Sequence, residues 1–218
     1  MPKRKSADPD PLWTSKLPPA PGELRIVQSF VNADFAQRPD LDGTAALARW
    51  LAHWSLLPDD ARVDVSGLER AVEVRKALRA LVIANYGSAV HEAFAVRLDN
   101  VAKATSIRVR FDLVGRTRFE AAADDLDGAF GRLFGIVAAA QLDGSWERMK
   151  VCSREPCHAA FYDFSPNRSA LYCQLGCGSR TSSHTYRNRH IEEVRGLEAG
   201  RSASRRLSRR LRTRPLRP

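Results

Sequence analysis

The stretch Cys152-Ser153-Arg154-Glu155-Pro156-Cys157, followed after a short loop by Cys173-Gln174-Leu175-Gly176-Cys177, holds every cysteine of the chain. Four residues separate the first pair, three separate the second, and fifteen lie between the pairs. Two close pairs joined by a loop of this size suit a tetrahedral thiolate site for zinc. Each pair closes on the metal through its own tight turn, and the segment between them folds back as a hairpin. The expected ligands of a Zn2+ ion are therefore Cys152, Cys157, Cys173 and Cys177. Four thiolates leave no open position on the metal, so its expected role is structural. A module of about forty residues buries too little apolar surface to fold alone, and the metal would supply much of its stability. Lys150, Arg154 and Arg180 stand close in sequence and favour thiolate over thiol. His158, next to Cys157, is an alternative ligand; with four cysteines completing the set, it is expected at the surface. Four unrelated thiols, or a redox pair, is the competing reading, and the clustering of all four in two pairs speaks against it.

Charge is distributed unevenly around this cluster. The chain of 218 residues carries a formal net charge of +10. Eight arginines and no acid fall in residues 201–218, and Lys3, Arg4 and Lys5 open the chain. Residues 150–190 have six basic side chains against Glu155 and Asp163. The large part between residues 6 and 149 is mildly acidic. A basic module and tail behind an acidic body point to a polyanionic partner for the C-terminal part. A hydrophobic fraction of 44% is enough for a real core. No apolar run approaches the roughly 18 residues that span a bilayer, and the N-terminus has no signal-peptide core. The expected location is cytoplasmic, where cysteines stay reduced and metal is a commoner fate than disulfide.

The fold class expected is α+β: a mainly helical N-terminal domain with a small β-hairpin, a small zinc-finger module of treble-clef or ribbon-like form, and a basic tail. Residues 1–22, rich in proline and charge, read as a disordered arm. From Glu23, Leu24, Val27, Phe30, Val31 and Phe35 fall on one helical face, with Pro39 as the stop. A second helix runs from about Thr44 to Leu56, ended by Pro58. Ser66 and Glu69 suggest a capping box for a third, which Gly87 closes. A fourth covers about Ser88 to Lys103. Ile107-Arg108-Val109-Arg110-Phe111 then alternates, as a strand does, and pairs with Thr117-Arg118-Phe119 across a turn near Gly115. A fifth helix spans about Asp124 to Leu142, with Leu126, Phe130, Leu133, Phe134 and Val137 inward. Strands at Met149–Val151 and Phe161–Phe164 open the cysteine module, and a helix follows Cys177. The divisions expected are 1–22, 23–145, 146–196 and 197–218.

Several of these residues together resemble a known family. Cys152-x4-Cys157, Phe161-Tyr162-Asp163-x-Ser165-x-Asn167, Tyr172-Cys173, Cys177-Gly178-Ser179-Arg180 and Tyr186-Arg187-x-Arg189 resemble the CGNR-type zinc finger. In that family the finger follows a helical domain called ABATE. Leu24–Asn32 looks like that domain's first helix, and Ala77-Leu78-Arg79-Ala80-Leu81 like its central one. The resemblance covers most of residues 23–190. It implies a stress-induced transcription regulator of bacteria that binds nucleic acid. The chain departs from the family pattern at Ser179, where an asparagine is usual. It departs again at Ala170 and Leu171, where two arginines are usual. The spacing of Cys173 and Cys177 is one residue short of the usual form.

The function expected is therefore a zinc-dependent nucleic-acid-binding protein, DNA before RNA. Its contacts would be Lys150, Arg168, Arg180, Arg187, Arg189, Arg205, Arg206, Arg209 and Arg210. The last four repeat at helical spacing in a tail that would add salt-sensitive affinity. RNA binding, or a zinc-stabilised protein-interaction module without nucleic acid, are the alternatives. The helical domain would serve as an effector sensor or a homodimer interface. No nucleophile elbow, phosphate loop or metal-hydrolase histidine pair is present, so no enzymatic activity is expected.

Overall fold

The computed structural model describes residues 17–33, 43–87, 89–155, 157–173 and 177–179. The first helix, α1 (Leu24–Asn32), turns its apolar face and also Gln28 and Ser29 inward. It ends well before Pro39, because Ala33 takes an extended conformation (φ −67°, ψ 134°). Helix α2 (Gly43–His53) lays Leu47, Trp50 and Leu51 against it. Trp50 packs on Phe30 with ring centroids 5.2 Å apart, and its indole donates to Ser29 Oγ at 2.9 Å. That bond satisfies the indole N–H and the Ser29 hydroxyl deep in the core.

Helix α3 (Val65–Ala84) is the long spine of the domain. Its cap is Asp64, whose carboxylate accepts from Gly67 N at 2.7 Å, and not the expected Ser66–Glu69 box. Asp64 is extended (φ −88°, ψ 176°), as a capping residue must be, whereas Ser66 already lies within the helix. Helix α4 (Glu92–Ala104) starts at His91, whose Nδ1 accepts from Ala93 N, and it buries no residue.

Strands β1 (Ile107–Phe111) and β2 (Thr117–Ala121) form an antiparallel hairpin that pairs Val109 with Phe119. Gly115, at φ +77°, makes its turn, and Asp112 Oδ1 accepts from Val114 N and Arg116 N. Helix α5 (Leu126–Leu142), capped by Asp125, buries Phe130, Leu133 and Val137. Gly135 lets β2 ride close on α5, since a Cβ there would stand 2.8 Å from Phe119 Cβ. Phe111 is 71% exposed and Leu113 fully so, so the alternation seen in the sequence marks a ribbon whose far end leaves the core.

A 3-10 turn (Trp146–Arg148) leads into β3 (Met149–Val151), which pairs antiparallel with β4 (Ala160–Tyr162). The expected break at residue 145 is not a break in packing. Trp146, Met149, Val151 and Ala160 belong to the same buried cluster as α1, α3 and α5. The chain divides instead into compact units Met1–Leu175 and Gly176–Pro218, of which the second is described only over Cys177–Ser179. The end of the expected disordered arm is also packed. Leu17 and Ala20 are buried, and Ala20 N donates to Gln28 Oε1 at 2.6 Å. Among the described residues, no helix is long and apolar enough to cross a membrane.

Moving the cap from Ser66 to Asp64 has a measurable consequence. Asp64→Ala is expected to lower unfolding free energy by about 1 kcal/mol in urea denaturation. Ser66→Ala should stay within roughly 0.5 kcal/mol of the parent. The reverse order would restore the capping box.

Candidate metal centre

The Sγ atoms of Cys152, Cys157, Cys173 and Cys177 all lie within 4.8 Å of one another. Cys152, Cys173 and Cys177 are buried and Cys157 is half-buried. The Cys157 and Cys173 sulfurs are 3.7 Å apart, too far for a disulfide bond of about 2.05 Å. A regular tetrahedron with metal–sulfur bonds of about 2.3 Å has edges of about 3.8 Å. The sulfur spacing therefore fits four thiolates around one ion. His158 is exposed and stands outside the cluster, as the completeness of the cysteine set implied.

Local structure explains how each pair is delivered. Cys152 directly follows β3, and its N–H donates to Ala159 O at 2.9 Å, extending the ladder by one step. Cys157 N donates to Arg154 O at 2.8 Å, closing the turn between the two thiols. His158 takes φ +44° directly after it. Ser153 N donates to Leu171 O at 2.9 Å, tying the segment before Cys173 to the first turn.

The segment that carries Cys173 is organised by one carboxylate. Asp163 is 1% exposed. Its Oδ1 accepts from Ser165 N (2.8 Å) and Ser165 Oγ (2.6 Å), and its Oδ2 from Ala170 N (2.9 Å). The Lys150 ammonium sits 3.1 Å from Oδ2. Burial works to raise this carboxyl's pKa, but the bonds from Ser165, Ala170 and Lys150 outweigh it and hold it at about 2. Asp163 is thus a carboxylate at neutral pH, and its charge is matched inside the module.

Lys150 was expected at a nucleic-acid surface, and the structure places it elsewhere. It is 5% exposed. Besides Asp163 it donates to Arg168 O, and it lies 5.5 Å from the centre of the Tyr86 ring. Its charge is consumed by folding, so it presents nothing to a phosphate. Arg168 is exposed but bonds Glu147 Oε2 at 2.6 Å. Such an exposed pair contributes little and releases easily. Arg180, Arg187, Arg189, Arg205, Arg206, Arg209 and Arg210 lie outside the described residues.

The helical domain reaches this site directly. Arg79 on α3 donates to His158 O. Burial pushes the Arg79 guanidinium pKa down, Arg75 one turn earlier adds to that, and Cys157 opposes it. Arg79 was not among the cationic neighbours expected near the cysteines; its signal is a pair of arginines, Arg75 and Arg79, at i and i+4 within α3.

Residues 24–144 match the model of the ABATE family, described as "Putative stress-induced transcription regulator". The chain belongs to the ABATE family. Residues 148–190 match the CGNR zinc finger. No curated protein matches the chain. The two family models meet between residues 144 and 148, yet the ABATE helices and the finger's β3–β4 hairpin share one core. The ABATE part also has a concavity of about 860 Å³ between β2 and α5, lined in part by Phe119, Glu120, Arg132 and Ile136.

Two outcomes follow. Purified chain should hold one metal ion, lost in Cys173→Ser, as read by elemental analysis after gel filtration in reducing buffer. Lys150→Met should cost roughly 3 kcal/mol in urea denaturation, because it strands the buried Asp163 carboxylate. Unchanged stability with weakened DNA binding would return Lys150 to the interface.

Proposed function

We propose that this chain is a zinc-stabilised DNA-binding transcription regulator in which the ion shapes the protein and carries out no chemistry. The four-thiol cluster is the observation that carries the reading. Its all-sulfur donor set suits Zn2+, and a closed tetrahedron leaves no position for substrate or activated water. Cys177 begins a helical turn, Cys177–Ser179, directly at the cluster. In sequence, Arg180, Arg187 and Arg189 follow it, then the eight arginines of residues 201–218. A metal that fixes the start of a basic segment gives phosphate contacts a rigid anchor. The family descriptions, a transcription regulator and a zinc finger, support the same reading.

A cysteine cluster of this kind works in a reducing compartment, which fits a cytoplasmic regulator. The mildly acidic ABATE part repels phosphate, so binding would be polarised toward the C-terminal residues.

Gel-shift titration of the zinc-loaded chain on duplex DNA, repeated across salt, tests this. Affinity should fall steeply between about 50 and 200 mM salt, and the slope should shrink when residues 201–218 are removed. Binding that is absent, or indifferent to salt, would overturn the reading. Tighter binding to an RNA pool would reassign the nucleic acid.

A further inference from the structure

We propose that Arg75 and Arg79 of α3 are the cationic partners of the thiolate–metal centre, so that the helical domain sets how tightly the finger holds its ion. The inference rests on the zinc reading above and adds a residue-level partner from outside the finger.

Arg75 and Arg79 lie one turn apart on the same face of α3, where like charges repel. Both are half-buried. Among the described residues, neither has a carboxylate within ion-pair distance. On α3 and α5, Asp127 pairs with Arg70, while Glu73 pairs with Lys76 and Arg97. Arg75 Nε is also buried with no acceptor. Two adjacent, partly desolvated guanidinium groups without an acid are costly unless an anion faces them.

The anion at hand is the metal centre. Arg79 donates to the carbonyl of His158, the residue after Cys157, so its guanidinium is held at the first cysteine turn. Cys157 acts to keep the Arg79 charge, against burial and the neighbouring Arg75. Zn2+ with four thiolates carries two net negative charges, which two guanidinium groups match. The same contacts orient the Cys152–Cys157 turn, since the His158 carbonyl is fixed from outside the finger. Partners that orient ligands in this way typically change metal affinity by roughly 10–100-fold.

The test is zinc affinity of the full chain, measured by competition with a chromophoric chelator. Arg75→Gln/Arg79→Gln should hold zinc at least about tenfold more weakly, with unchanged helical circular dichroism. Arg75→Lys/Arg79→Lys, which keeps the charge, should recover most of the loss. Arg62→Gln, an exposed control, should match the parent. Parent-like zinc affinity in the glutamine variant would overturn the inference, and doubly so if DNA affinity fell instead, which would make the arginines phosphate contacts. A parent chain that takes up no zinc would instead sink the zinc reading itself.

Discussion

The structure depends on a seam where helical-domain side chains satisfy the backbone of the cysteine module. β4 is an edge strand lying against α1, so its outward N–H and C=O groups are removed from water and must find partners. Asn32 supplies both for Ala160, donating to its carbonyl at 2.8 Å and accepting from its N–H at 2.7 Å. Asn85 donates to the carbonyls of Trp146 (2.7 Å) and Met149 (2.9 Å). Tyr86 donates to Val151 O at 2.5 Å, and Arg79 to His158 O. With β3 and β4 pinned this way, Cys152 and Cys157 are presented from a fixed hairpin. Asp163 then fixes the chain that leads to Cys173. A finger of this size standing alone would lean on its metal for nearly all its stability. Here the hairpin is also held by side chains of the body.

That seam changes what the module's charges mean. Lys150 and Asp163 look in sequence like one more cation and one more acid. In the fold they neutralise each other inside the module and hold its loop in shape. Arg79 looks like an ordinary helix-surface residue and instead donates to the carbonyl of His158 at the cysteine turn. Charge counted along the sequence thus separates into charge used by the fold and charge left for a partner. In the proposed interface, the second kind falls to Arg180 and the basic residues after it.

Much of this was legible beforehand. Cysteine spacing marked the cluster because two close pairs joined by one loop suit a tetrahedral thiolate site. The hairpin at residues 107–121 and the helix ending at Leu142 were readable from their periodicity and from Gly115 and Asp143-Gly144. What escaped were choices between near-equal local options and contacts across long sequence separations. Asp64 and Ser66 both cap helices, and only the extended backbone at Asp64 decides between them. The division at residue 145 falls between the two family matches, but the core that runs across it was not readable from the change of pattern there. Sequence has no marker for Asn32 meeting Ala160, which is 128 residues away.

The central claim is that four cysteines, and no other residue, enclose one zinc ion at the end of this seam. Zinc-edge X-ray absorption on the purified full-length chain tests it most directly. The account expects four sulfur scatterers at about 2.3 Å and no nitrogen or oxygen in the first coordination shell. A mixed shell with a histidine nitrogen or a water oxygen would contradict it, as would fewer than four sulfurs.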